Sequence, residues 1–306
     1  MKTSITSRAT EGQRTQYTRM MEDIVRHGTK LALEKVEADS EGWQRVLRNG
    51  DELKLTVAEV IVSKTRELSV SNQYADEEVA SNYGYLSGYV KPVGIEDQID
   101  ILRSHWPSLN PDGAIRYMHG IYPSLRFPEW VEGPFALIRP GFFSEAYGEE
   151  FEEVLRALAK ARGGKFVNYR GGQLGPKYLR QSTGTLAMTN RIVAEQPGSV
   201  ILVVSEQFGI RHRGKSVRRA REVFVGSEFG EGAKNVGTMI LTNPIRLQHL
   251  DDLWLDCPGD EYSPDAGGSF DSAPFFKFSG GKVGFGTLWV ACPGEGYGSV
   301  SGSLPQ

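Results

Sequence analysis

The sequence predicts an α+β protein, with a mainly helical part over residues 1–130 followed by a domain over residues 131–306 that ends in a Gly-rich β region. Three observations carry this expectation. Apolar residues recur at helical spacing through the first part of the chain. A strand–helix–helix pattern then begins near residue 135. Beyond Leu250 helix signals vanish, and Gly supplies 11 of the last 56 residues.

The first helix is marked by a capping-box pattern, Thr10 with Gln13, followed by Tyr17, Met20, Met21, Ile24, Val25, Leu31, Ala32 and Val36 at helical spacing. A short helix around Trp43, Val46 and Leu47 stops at Asn49-Gly50. Leu53, Val57, Val60, Ile61 and Leu68 draw a third. From Ser69 to Gly94 the period fails, and Tyr74, Tyr83, Tyr85 and Tyr89 sit among Ser, Asn and Gly, as in an irregular connector. Two short helices follow, near Ile95–Leu102 and Pro111–Met118. The proline-rich stretch from Tyr122 to Pro134 is the expected boundary between the two parts.

In the second part Phe135–Ile138 predicts a strand. Phe151, Val154, Leu155, Leu158 and Ala159 predict a helix closed by Gly163-Gly164. A helix is expected from about Pro176 to Glu195, a buried strand over Val200–Val204, a short helix over Val217–Val225 and a strand over Thr238–Thr242. Near the end, residues alternate from Lys282 to Cys292. Val283, Phe285 and Trp289 fall on one face, and Gly284, Gly286, Leu288, Val290 and Cys292 on the other. One face anchors the strand in a core while the other shows glycines and medium apolar groups, unless both faces are buried.

Composition bounds the class. Two cysteines, Cys257 and Cys292, make no disulfide framework, and the polar N-terminus lacks the apolar run of a secretion signal. A cytoplasmic protein with no membrane partner is expected. The net charge of −3 conceals a segregation: residues 131–250 carry 17 basic and 11 acidic side chains, residues 251–306 carry 2 and 8. Two surfaces that face each other, or two faces with different partners, give such a pattern.

Gly209 to Ser216 spells the phosphate-loop pattern, with Gly214, Lys215 and Ser216 at its end. Its bulky interior (Ile210, Arg211, His212, Arg213) resists a tight anion-cradling turn. The same stretch extends into a basic cluster of Arg211, Arg213, Lys215, Arg218, Arg219 and Arg221. Such a cluster suits nucleic-acid phosphates, or pairs with the acidic C-terminal segment. Asp251, Asp252, Asp256, Asp260, Glu261, Asp265 and Asp271 form an acidic run. It suits Ca²⁺ or an arginine-paired loop, and no other cofactor is expected. No serine-hydrolase elbow, zinc-protease or paired CxxC signature occurs, so binding is expected rather than catalysis, with no catalytic residue assigned.

Three runs carry a resemblance: Phe166 to Gln181, Gln207 to Arg221, and Tyr297 to Gln306. They resemble a family of uncharacterised proteins from candidate-phylum bacteria. That family is similar in turn to the variable proteins of diversity-generating retroelements, which display changeable contacts on a C-type-lectin-like fold. The resemblance implies a ligand-binding protein for an unidentified protein or small molecule. Phe276, Phe278, Leu288, Val290, Cys292, Gly294, Glu295 and Gly296 would carry the contacts, and Tyr297 to Gln306 would form a fixed end.

Overall fold

The computed structural model describes residues 10–68 and 72–305. The chain divides into two compact units, one ending at Val60 and the other beginning at Ile61. The stretch from Tyr122 to Pro134 runs inside the second. Among the described residues no helix is long and apolar enough to cross a membrane.

In the first unit lie α1 (Glu11–Lys35), α2 (Ser40–Arg48) and the start of α3 (Gly50–Leu68). The capping box at Thr10 forms in full: Gln13 N–H donates to the Thr10 hydroxyl, and the Gln13 side chain accepts from Thr10 N–H. Neither α1 nor α2 buries a residue. Their apolar stripes, Ile24, Val25 and Leu47 among them, are exposed.

The second unit continues with α4 (Ile95–His105), α5 (Asp112–Gly120), β1 (Gly133–Ile138), α6 (Tyr147–Ala161), β2 (Phe166–Asn168), β3 (Leu179–Gln181), α7 (Thr183–Glu195) and β4 (Ile201–Gln207). Then come α8 (Val217–Val223), β5 (Glu228–Gly230), α9 (Ala233–Thr242), β6 (Trp254–Asp256) and β7 (Asp260–Tyr262). The chain closes with β8 (Ser272–Ser279), β9 (Lys282–Trp289), β10 (Tyr297–Ser299) and β11 (Ser301–Ser303). The α+β class therefore holds.

These strands build two sheets among the described residues. One is antiparallel, in the order β1-β4-β11-β5. The end of the chain thus lies inside it: Ser301 and Ser303 are buried between β4 and β5. Two glutamines cover backbone groups that no strand reaches. Gln98 donates to the carbonyls of Val93 and Pro134 and accepts from Ala136 N–H. Gln196 donates to Val203 C=O at 2.8 Å and accepts from Val203 N–H at 2.9 Å. Each stands in for a missing ladder partner. In the second sheet β8 is central. It pairs along one edge with β9 and along the other with β6 and β7, while β2, β10 and β3 lie outside these.

Helix α9 packs against β1, β8, α4 and α6. Nearly all its residues are buried, which explains why Thr238–Thr242, expected as a strand, is helical: a helix apolar all round shows no period to distinguish it from a buried strand. The expected strand over Val200–Val204 runs on to Gln207. The helix expected from Pro176 begins at Thr183 instead, with the Ser182 side chain as its cap and β3 ahead of it.

A buried polar layer surrounds the N-terminus of α9. Ala233 N–H donates to Asp260 at 2.8 Å, and the Tyr147 hydroxyl donates to the same carboxylate. Lys234 pairs with Glu150 at 2.9 Å, both side chains buried. Glu231 accepts from Gly232 N–H and from the Asn235 side chain at 2.7 Å. Burial pushes Asp260 up to about 7. No N–H or O–H group of another residue reaches the Glu206 carboxyl, which lies beside that of Glu231. Two carboxyls join only through a proton, and burial together with the Glu231 charge holds Glu206 well above the usual range. Both effects favour the protonated form of Glu206, with its proton toward Glu231.

Glu206 and Glu231 both have folded-state values raised above the unfolded value of about 4.3. Their stabilisation is complete below that value and is lost as pH rises through the folded one. Melting temperature should fall as pH rises above the unfolded carboxyl value toward the raised folded values, and Glu206→Gln, which replaces the acid O–H by an amide N–H, should shrink that fall. A melting profile in Glu206→Gln as steep as that of the wild type would show that the proton is not shared here.

Candidate ligand-binding face

The β8–β9 hairpin turns through Gly280 and Gly281, whose φ values are +57° and +74°. Two consecutive left-handed residues make the tight turn whose twist matches antiparallel strands, and Gly adopts both conformations without strain. The turn fixes the register, with Ser279 opposite Lys282, Lys277 opposite Gly284, Phe276 opposite Phe285 and Phe275 opposite Gly286.

Opposite residues share a face, so the register separates inner from outer side chains. Inside, Phe276 and Phe285 touch at 5.2 Å between ring centroids, and both meet Phe151 of α6 edge-on. Val283 and Leu255 are buried beside them. The opposite face holds Ala273 and Phe275, both buried, with half-buried Lys277 on β8, and buried Gly284 and Gly286 with half-buried Leu288 on β9. Trp254 and Asp256 of β6 continue the face, with Tyr297 and Ser299 of β10.

The outer face carries an aromatic ladder across three neighbouring strands. Trp254 stacks on Tyr297 at 4.7 Å and on Phe275 at 5.2 Å, with interplanar angles of 29° and 20°. Lys277 Nζ lies 4.3 Å from the Trp254 ring centroid, a cation–π contact. The two glycines make room for rings. A Cβ at Gly286 would stand 3.0 Å from Phe275, and one at Gly284 3.1 Å from Tyr169, whose side chain is 62% exposed. At the base of the face Asp256 is buried, and burial alone pushes its carboxyl up to about 7.

The expected contact residues divide. Leu288 lies on the outer face, half-buried. Phe276 is fully buried and Phe278 packs against the core, so both belong to the anchoring side. Val290 and Cys292 lie beyond the strand in a turn: Val290 N–H donates to Asp271 C=O, and Cys292 N–H donates to Trp289 C=O. Gly294, Glu295 and Gly296 lead into β10. Glu295 is exposed, with its carbonyl accepting from the Ser81 hydroxyl, and Gly296 lies against Tyr83. Trp289, expected in the core with Phe285, is 57% exposed because the strand end overshoots the core. Tyr169, Trp254, Phe275, Lys277 and Tyr297 were not expected here. Ser279-Gly280-Gly281-Lys282, read as a two-residue turn, would have placed Phe275 and Lys277 opposite the two glycines.

The stretch from Gly209 to Ser216 is occupied by the protein itself. Gly209 and Arg211 N–H donate to the Gln207 side chain and Ile210 N–H to the Tyr85 hydroxyl. His212 and Arg213 N–H donate within the loop, to Gly209 and Ile210 C=O. Gly214, Lys215 and Ser216 N–H donate to the carbonyls of Tyr297, His212 and Glu77. Each backbone donor that would cradle a phosphate is thus committed. Ser216 caps α8, a helix of seven residues, and its hydroxyl donates to Glu77.

The basic side chains are likewise paired, though not with the acidic C-terminal run. Arg211 and His212 meet Glu228, Arg218 meets Glu77, Lys215 and Arg219 meet Glu78, and Arg219 also holds Glu222. Arg213 donates to Tyr83 C=O, and Arg221 donates to the carbonyls of Pro258 and Asp260. The acidic run is dispersed: Asp252 accepts from Ser87, Gln248 and His249 N–H, Glu261 pairs with Arg180, and Asp251 and Asp271 are exposed. Among the described residues no three His, Cys, Asp or Glu side chains converge as metal ligands would.

The chain matches no family model, no curated protein and no solved structure.

Arg219 and Glu222 are both about nine-tenths buried, so Arg219→Ala should cost about 3 kcal/mol by taking the guanidinium away from Glu222 and Glu78. Lys215→Ala, at the looser 3.8 Å contact, should cost under about 1 kcal/mol. Urea unfolding of the two variants checks this; the reverse order would mean that the segment is held together through Lys215.

Proposed function

We propose that this chain is a non-catalytic binding protein whose second sheet carries its contacts on the outer face. In this reading it is a display protein of the diversity-generating-retroelement type, with a C-type-lectin-like arrangement in which a fixed framework bears changeable contacts. The observation that supports it is the two-sidedness of the β8–β9 hairpin. Phe276, Val283 and Phe285 hold its inner face in the core. The outer face presents Tyr169, Trp254, Lys277, Leu288 and Tyr297 on paired strands. Trp and Tyr on a rigid surface are the side chains that dominate protein recognition. The basic loop, with its amides and side chains committed internally, offers less to a phosphate ligand.

A random peptide library displayed on phage and panned against the wild-type protein tests this. Enriched peptides should lose about tenfold or more in affinity for a Tyr169→Ala, Leu288→Glu double variant and keep full affinity for Lys215→Ala. Retention by the double variant with loss in Lys215→Ala would move the contact surface to the basic loop.

A further inference from the structure

We propose that the outer face takes an acidic, extended polypeptide segment, whose carboxylates meet Lys165, Lys277 and Lys282 while its apolar side chains lie along the aromatic ladder. This names the ligand class of the face described above and rests on that reading.

The first observation is where the lysines fall. Lys277 and Lys282 are the two basic residues of the last 56. They sit on different strands of the hairpin, yet the register brings both to the outer face: Lys277 is opposite Gly284, and Lys282 lies two residues before it. Lys165 joins from the neighbouring strand. Its carbonyl accepts from Val283 N–H, and alternation through Val167 to Tyr169 puts its side chain on the same side. Along β9, Lys282 and the position opposite Lys277 are separated by about 7 Å, the repeat of alternate side chains in an extended chain.

The second observation is that this charge is uncompensated. The arginines of the 211–221 segment are spent on Glu77, Glu78, Glu222, Glu228 and backbone carbonyls. Among the described residues, Lys165, Lys277 and Lys282 enter no ion pair. Carboxylates at outer-face strand positions are Asp256, buried at the base, and Glu261 of β7, which pairs with Arg180. The Lys277 ammonium rests on the Trp254 ring, a contact that satisfies it only in part and leaves its remaining N–H groups for a carboxylate.

The ring geometry selects polypeptide over single-stranded nucleic acid. Nucleobases bind by stacking on open ring faces. Here the Trp254 faces are taken by Tyr297 and Phe275, so the ladder turns ring edges to solvent. Aromatic edges carry the positive part of the ring quadrupole, which favours carboxylate neighbours. A segment with alternating acidic and apolar residues satisfies lysines and edges together, and charge complementarity gives it orientation.

The test uses full-length protein and fluorescein-labelled peptides of about ten residues, alternating Glu and Leu or Gln and Leu, with oligothymidylate as a third probe, read by anisotropy. The Glu–Leu peptide should bind at least about tenfold tighter than its Gln–Leu counterpart, weaken with added salt, and lose that advantage in a Lys165→Gln, Lys277→Gln, Lys282→Gln variant. These lysines enter no ion pair, and the Lys277→Gln stem can still lie on Trp254, so the variant should melt close to the wild type. Equal binding of the two peptides, or tighter binding of oligothymidylate, overturns the acidic-polypeptide assignment. If both peptides bind equally but depend on Tyr169 and Leu288, the binding face stands and only its ligand class falls. If neither peptide nor oligonucleotide responds to Tyr169→Ala with Leu288→Glu, the binding face falls as well.

Discussion

The register of the β8–β9 hairpin is the constraint on which the binding face depends. Gly280 and Gly281 close the turn, and every later pairing follows from it: aromatic against aromatic inside, lysine or phenylalanine against glycine outside. Side chains alternate with a period of two, so a slip of one residue would bring Lys277 and Gly284 to the core and expel Phe276 and Phe285. Burying an unpaired ammonium and exposing two large rings is costly enough to make the observed register the only stable one. The framework therefore tolerates change outside while holding its position through Phe151 inside.

Charge segregation in the sequence has a different meaning in the folded chain from the one its blocks suggest. The basic block is neutralised by Glu77 and Glu78, which come from the irregular tyrosine-rich connector, and by Glu222 and Glu228 of its own block. The segment consequently acts as a clamp, tying the connector to the start of β10 through Val79, Gly214 and Tyr297. The acidic block contributes buried carboxyls, Asp256 and Asp260, which burial holds near neutrality. On the outer face of the hairpin itself the charged residues are lysines, while the exposed Asp251, Asp265, Asp271 and Glu295 lie in flanking turns.

Much of the fold was legible where a period or a cap is local. The Thr10–Gln13 box, the Asn49 stop and the stripe of α6 depend on neighbours within one or two turns, and they appear as read. Alternation around Phe285 likewise separated inner from outer positions on β9. Thr238–Thr242 was misread because complete burial erases amphipathic contrast. Trp289 was misread because alternation fixes a face but not where the core ends beneath it. Trp254 and Tyr297 lie 43 residues apart in number and meet through β6–β10 pairing, a long-range event with no local signature. Glu206 and Glu231 are similarly distant in the chain, and only packing brings their carboxyls together.

The most direct measurement compares two side chains of one strand. Phe285 is fully buried against Phe151, whereas Leu288 stands half-buried on the outer face. In thermal melts followed by circular dichroism, Phe285→Ala should cost about 3–5 kcal/mol, while Leu288→Asn should cost about 1 kcal/mol or less. That asymmetry is what a strand anchored on one side and displayed on the other requires. Equal losses in the two variants would make both faces core and leave the sheet no surface with which to bind.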